Sequence, residues 1–268
     1  MRRAENRNKS DEKVIEIDVR KLIYALLLLV MCGLLIFSII RFIKGFMKIS
    51  VFEITGDSPY ESEEIINASG LKKGDKLYSI DEDKVVHDIK LKCPYVKNVR
   101  IESKFPNRIK INVDSFSAAY YVEIFGDYYA LDINMRVLEE TSDNTKFVNA
   151  NIPRLCIPNI KTAIVGSELI YGENEAEIKF VDEFLSVLRS TTFTSRLTLV
   201  DINNRFDIKV QVDGNINVAM GNSEKSKEKL KAVETALADP RLENCISAEI
   251  DVSNPNSFSV KPVIDYNE

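Results

Sequence analysis

The clearest pattern in the chain is an uninterrupted apolar run. Leu22 to Ile40 reads LIYALLLLVMCGLLIFSII without a charge, and Phe42 and Ile43 continue it past Arg41. A helix rising about 1.5 Å per residue needs roughly 20 such residues to cross about 30 Å of hydrocarbon. The run therefore predicts a transmembrane helix over 22–43, after a tail of 1–21. A buried core helix would keep a polar face. A cleaved signal peptide would have an apolar region of about 7–15 residues followed by a small-residue cleavage site. Arg41-Phe42-Ile43-Lys44-Gly45-Phe46 offers no such site, which favours an uncleaved anchor. Lys and Arg are denser before the span (Arg2, Arg3, Arg7, Lys9, Lys13, Arg20, Lys21) than after it (Arg41, Lys44, Lys48). That bias keeps the N-terminus in the cytosol and places the bulk of the chain outside.

Beyond the span the periodicity changes. Ile49–Ile54 reads as a strand closed by Thr55-Gly56-Asp57. Ser62-Glu63-Glu64-Ile65-Ile66 reads as a short helix capped by Ser62 and stopped by Gly70. Ser79-Ile80-Asp81-Glu82 has capping-box spacing before an apolar stripe of Val85, Val86 and Ile89, which ends at Pro94. Val99 and Ile101, then Ile109, Ile111 and Val113, alternate with polar residues on either side of Phe105-Pro106-Asn107. The order is strand, helix, helix, strand, strand: a small α+β module over 46–116.

A second mixed α/β module with an antiparallel sheet is expected over 117–264, before a short tail of 265–268. Tyr121–Phe125 and Tyr128–Leu131 flank Gly126-Asp127 as a hairpin. In Asp132-Ile133-Asn134-Met135-Arg136-Val137-Leu138, Asn134 is the candidate for a left-handed turn position. Glu173–Arg189 carries Ile178, Val181, Leu185 and Leu188 at helical spacing. Leu197 and Leu199, then Phe206, Ile208, Val210 and Val212, then Ile216 and Val218, read as three strands, with Asp213-Gly214 as a turn. A last helix over Ser223–Ala238 would turn Lys225, Lys227, Lys229 and Lys231 to solvent. Ile246–Val252 and Phe258–Pro262 read as two final strands across Asn254-Pro255-Asn256.

Composition narrows the chemistry. The 268 residues carry a net charge of -5, with 45% hydrophobic and 29% charged residues, so the chain is folded and poorly suited to nucleic acid. A single histidine, His87, excludes His-rich metal sites. Ser167 and Ser195 lack a partner base, and no phosphate loop, dinucleotide fingerprint or HExxH motif is present. Asp132, Glu139 and Asp201 are dispersed carboxylates whose simplest role is in turns or at the surface. Tyr120, Tyr121, Tyr128 and Tyr129 are the one candidate sugar platform, although strand alternation sends half of them into the core. Cys93, Cys156 and Cys245 are odd in number and widely spaced, so buried thiols are favoured over a disulfide scaffold. No catalytic residue, metal or cofactor is expected.

Several segments together resemble one family. Phe52-Glu53-Ile54-Thr55-Gly56, Ser62-Glu63-Glu64-Ile65, Ser69-Gly70-Leu71, Gly74-Asp75-Lys76-Leu77, Pro94-Tyr95-Val96-Lys97-Asn98-Val99 and Phe105-Pro106-Asn107 look like a POTRA domain. Placed directly after one anchor, the series resembles the bacterial division proteins of the FtsQ/DivIB type. Departures occur at Met135 and Cys156, where the family pattern has glycine. The resemblance implies a single-pass type II protein at the division septum, not an enzyme, that supports septal peptidoglycan synthesis. Its implied partners are other single-span division proteins (FtsB/DivIC-like and FtsL-like), with the septal peptidoglycan synthase as a further candidate. By motif position the partner-binding edge would comprise Phe258, Ser259, Val260, Lys261, Pro262, Val263 and Ile264, supported by Ile250 and Val252. An unpaired edge suits recruitment by strand addition. Val51–Thr55 or Arg108–Val113 in the first module would be the alternative edge. The runner-up reading is an anchored extracytoplasmic chaperone using the POTRA-like sheet to hold client strands.

Overall fold

The computed structural model describes residues 19–243 and 245–263. The expected tail before residue 19, Ile264 and the tail of 265–268 lie outside the described residues. Helix α1 (Val19–Phe46) is apolar on every side and none of its span is buried by protein, as a bilayer-crossing helix requires.

The next elements follow the expected order: β1 (Val51–Asp57), α2 (Ser62–Ser69), α3 (Glu82–Lys92), β2 (Val96–Lys104) and β3 (Arg108–Ser115). The three strands form one sheet in the order β1-β3-β2. Arg108–Val113 therefore lies in the central strand, and the idea that it offers an open edge is corrected; β1 does lie at an edge. The strand end expected at Thr55-Gly56-Asp57 also shifts, because β1 runs through all three residues. Gly56 allows this: it sits at φ 107°, and a Cβ there would lie 1.9 Å from the Val113 carbonyl oxygen. Two caps differ from expectation. Glu61, not Ser62, caps α2, and its N–H donates to the Glu64 carboxylate at 2.8 Å. Asp81, not Ser79, caps α3, accepting from the Lys84 N–H at 3.1 Å. In both cases the cap lies three residues before the residue it pairs with; Ser79, three before Glu82, has the same spacing, whereas Ser62 offers only the right chemistry.

The remaining elements are β4 (Tyr120–Ile124), β5 (Asp127–Leu131), β6 (Val137–Thr141), α4 (Thr145–Asn149), β7 (Arg154–Cys156), α5 (Glu175–Arg189), β8 (Leu197–Asp201), β9 (Ile208–Val212), β10 (Ile216–Gly221), α6 (Ser226–Leu237), β11 (Ser247–Asp251) and β12 (Ser259–Val263). Nine of them are strands of one sheet, in the order β12-β11-β10-β9-β8-β7-β4-β5-β6. The sheet is mixed: β4–β7, β7–β8 and β10–β11 pair in parallel. Chain order explains the last two, since α5 lies between β7 and β8 and α6 between β10 and β11, and a crossover helix returns the chain in the same direction.

α5 and α6 contribute Val181, Phe184, Leu185, Leu188, Leu230, Val233 and Ala236 to a core shared with Val200, Val210, Val218, Ala248 and Ile250. A smaller core of Tyr121, Ala130, Leu138 and Phe147 involves α4. Tyr120 and Tyr121 are consequently both buried, in different cores. The β4–β5 turn lies at Phe125 and Gly126 (φ 52° and 95°), one residue earlier than read from the sequence. Met135, not Asn134, takes the left-handed position at φ 63°. Phe206 lies in the exposed bend before β9.

The described chain packs as two compact units. One holds the chain up to Phe52 with Lys72–Ile80 and Ser103–Ile109; the other holds Glu53–Leu71, Asp81–Glu102 and the chain from Lys110 onward. In the first, backbone bonds tie the segment after α1 to the Gly74–Leu77 loop: Leu77 N–H to Met47 O at 3.0 Å and Ile49 N–H to Asp75 O at 2.8 Å.

A candidate partner-binding edge

The sequence-predicted partner edge falls on β11 and β12. Strand β12 is the outermost strand of the nine-stranded sheet, and among the described residues no strand pairs with its outer side. It pairs antiparallel with β11, matching Asp251 with Ser259, Ile250 with Val260, Glu249 with Lys261, Ala248 with Pro262 and Ser247 with Val263. Phe258 lies just before the strand and is exposed. Ile250 and Val252 are buried in the main core. Their side chains therefore face the core and not the surface beside the edge.

Which backbone groups the edge offers follows from β11. In a strand, the N–H and C=O of one residue point to the same side, and successive residues alternate. The Ala248 N–H donates to Asn215 O at 3.1 Å and the Val252 N–H to Ala219 O at 2.9 Å. Even-numbered residues of β11 therefore address β10. Ser247, Glu249 and Asp251 address β12, and their partners Val263, Lys261 and Ser259 point back at them. Val260 and Pro262 are left facing outward. Val260 supplies an N–H and a C=O; Pro262, having no N–H, supplies only an acceptor. Proline at that place limits unwanted pairing.

The side chains divide by face. Val260 packs against the main core, whereas Ser259 and Lys261 line a shallow trough on the opposite face with Glu249, Asp251, Lys209 and Gln211. This trough holds about 370 Å³. Hydrogen bonds from the Ser253 hydroxyl and N–H hold the Asp251 carboxyl below its usual 3.8 and fix the turn that leads to β12. The other end of the sheet is different. At β6, the Val137 N–H donates to Ser167 O and the Gly166 N–H to Val137 O, both at 2.8 Å, so a loop covers that edge.

The residues weighed for catalysis are scattered and structurally employed. Asp132 is buried and accepts the Asn134 and Arg136 N–H groups at 2.8 Å. Glu139 accepts the Tyr95 hydroxyl at 2.9 Å and pairs with Lys146. Asp201 accepts the Asn203 N–H at 3.1 Å. His87, Ser167 and Ser195 are exposed. Tyr121 stacks on Phe147 with ring centroids 5.4 Å apart, which makes it core and not a sugar platform. Among the described residues no three His, Cys, Asp or Glu side chains could hold a metal ion together. All four cysteines are free thiols, and burial raises the pKa of Cys93 and Cys156. One lysine departs from the expected solvated face: Lys229 is buried, its Nζ donating to Asn222 O and Oδ1 at 2.8 Å. The sequence signal was its i+3, i+4 and i+7 spacing to Ala232, Val233 and Ala236 on the buried side of α6, which the alternating lysines obscured.

Residues 47–114 match the family model described as POTRA domain, FtsQ-type. The chain is similar to the cell division protein DivIB of Clostridium botulinum strain Hall, at 27% identity over 210 residues, covering 78% of this chain and 79% of that protein. It is similar to the cell division protein FtsQ of Corynebacterium glutamicum at 18% identity, covering 75% and 84%. Against DivIB of Bacillus subtilis it is 32% identical over 100 residues, covering 36% and 38%.

Proposed function

We propose that the chain, which carries an FtsQ-type POTRA domain and is similar to DivIB and FtsQ cell division proteins, is a non-enzymatic scaffold of the division septum. In this reading α1 crosses the cytoplasmic membrane with the N-terminus in the cytosol, and modules 46–116 and 117–264 lie outside. The open side of β12 captures an extended segment of another single-span division protein, FtsB/DivIC-like or FtsL-like, and the assembly supports septal peptidoglycan synthesis. The observation that carries the reading is the outward-facing Val260 N–H and C=O on an edge strand left uncovered among the described residues, backed by the buried Ala248 and Ile250 of β11. Main-chain pairing supplies affinity in such a contact, and the adjoining trough selects side chains.

A photo-crosslinking residue at exposed Lys261, introduced into the full chain in dividing cells, tests this. The expected products are a small set of single-span division proteins. A broad spread of unrelated envelope proteins would instead support the chaperone reading. Crosslinks to division proteins from β1 and none from Lys261 would move the docking strand to the first module.

A further inference from the structure

The unit that carries α1 has a charge opposite to that of the whole chain. Its segments from the end of the uncharged run onward, Arg41–Phe52, Lys72–Ile80 and Ser103–Ile109, hold three, three and two Lys or Arg residues and one acidic residue, Asp75. The chain's net charge is -5. Positive charge immediately past a span opposes the orientation that the N-terminal bias sets, so topology alone does not account for it.

The geometry around this charge is specific. Lys48 and Lys76 face each other across an antiparallel bridge. With Arg41 and Tyr78 they line a groove of about 440 Å³ that continues onto Phe37 and Ile40 of α1. Phe37 and Ile40 belong to the apolar span, so the groove is apolar on its membrane side and cationic beyond it. The Lys76 Nζ sits 6.0 Å from the centre of the Tyr78 ring. In the same unit the β2–β3 turn leaves Phe105 72% exposed, and Asn107 O of that turn accepts the Ser50 N–H at 2.8 Å. Aromatic residues with basic neighbours are characteristic of the headgroup region.

We propose that this membrane-proximal surface binds the phosphate headgroup of an anionic phospholipid, with Arg41, Lys48 and Lys76 around the phosphate and Phe105 resting in the interface. The apolar-to-cationic groove matches a lipid's acyl–glycerol–phosphate sequence, and the excess of positive charge matches an anionic bilayer surface. The consequence is a module held down on the membrane instead of swinging from its anchor. This inference needs α1 to cross a bilayer; it does not depend on the septal reading or on β12.

The chain contains no tryptophan, so Phe105→Trp gives a single fluorescent reporter at an exposed aromatic position. The full chain carrying it is placed in nanodiscs of phosphatidylcholine, or of phosphatidylcholine with phosphatidylglycerol, with brominated acyl chains as quencher. Blue-shifted emission and strong quenching are expected in the anionic discs, weakening in about 0.5 M salt as screening shortens to a few ångströms. Each near-surface cation is worth roughly fivefold in the docked-to-undocked ratio. Lys48→Gln with Lys76→Gln should therefore lower that ratio about 25-fold, while Lys231→Gln on α6 leaves it unchanged. Equal quenching in neutral and anionic discs, or none in either, overturns the proposal. Displacement by inorganic pyrophosphate alone would assign the groove to a diphosphate and overturn the phospholipid assignment. Native mass spectrometry of the unsubstituted chain provides a second measurement: phosphatidylglycerol should be retained, and the double variant should lose it.

Discussion

Proline at Ser259 and proline at Val260 are adjacent changes with different expected outcomes. The Ser259 N–H points at Asp251 within the sheet, so Ser259→Pro removes a ladder bond and puts a ring between two strands. Losing the bond costs about 1 kcal/mol, and the displaced strand brings the total to about 3 kcal/mol. Strand β12 has only Val260 and Pro262 half-buried, which hold it to the sheet by about 1–3 kcal/mol. Ser259→Pro should thus release β12 while the rest of the sheet stays folded. The Val260 N–H points outward, so Val260→Pro breaks no internal bond and costs about 1 kcal/mol through altered packing. The difference of about 2 kcal/mol is roughly thirtyfold in the ratio of open to closed β12. Amide hydrogen exchange on the full chain reads it directly. In Ser259→Pro the Glu249 and Asp251 amides, which face β12, should lose protection, whereas Ile250 and Val252, which face β10, keep it. In Val260→Pro all four should stay protected, yet partner crosslinking from Lys261 should fall. If Val260→Pro exposes Glu249 and Asp251 as strongly as Ser259→Pro, the assignment of inward and outward groups is wrong. If it leaves crosslinking intact, the edge is not the docking strand.

Three further outcomes are expected. Gly56→Ala should destabilise by about 4 kcal/mol in urea denaturation, because Val113 O blocks the new Cβ, whereas Gly126→Ala, at similar φ in open space, should cost about 1–2 kcal/mol; equal losses would refute the clash. Phe147→Ala empties the centre of the smaller core beside Tyr121 and should cost about 3–5 kcal/mol by the same assay. Burial lowers the Lys229 pKa below 10.5, so the folded state binds its proton less well than the unfolded state. That penalty is full below the folded pKa and fades as pH rises toward 10.5, so wild type should gain stability relative to Lys229→Met between neutral and alkaline pH; a pH-independent difference would contradict it.

The legible parts of the sequence were those where one face of an element is buried. Ile208, Val210 and Val212, then Ile216 and Val218, alternate because only one side of β9 and β10 meets the helices, and both strands appear where the pattern puts them. The stripe on α5 was legible for the same reason, although exposed Ile178 belongs to it less than buried Phe184. Caps and turns were harder. Ser62 and Ser79 have the right chemistry one or two residues from the true caps Glu61 and Asp81, and periodicity does not resolve such a shift. Lys229 was misread because residue type outweighed position: at its place on α6 the neighbouring Leu230, Ala232 and Val233 are buried, and the long side chain turns in with them to reach Asn222.

The partner edge divides along the same line. That Ser259–Val263 forms a strand, one residue later than the expected Phe258–Pro262, is a property of its own side chains, and Val260 on the core side and Lys261 on the other can be read from the alternation. That this strand lies last in the sheet is a property of the whole topology, and the parallel β10–β11 pair places it there. Which of its backbone groups remain open is set one step further away, by the bonds that Ala248 and Val252 make to β10. A shift of one residue in that pairing would reverse the roles of Ser259 and Val260 while leaving every residue of β12 unchanged. The function proposed for this edge therefore depends on β10 and β11 as much as on the strand that a partner would touch, and substitutions that slip the β10–β11 register should abolish capture without altering a single exposed side chain.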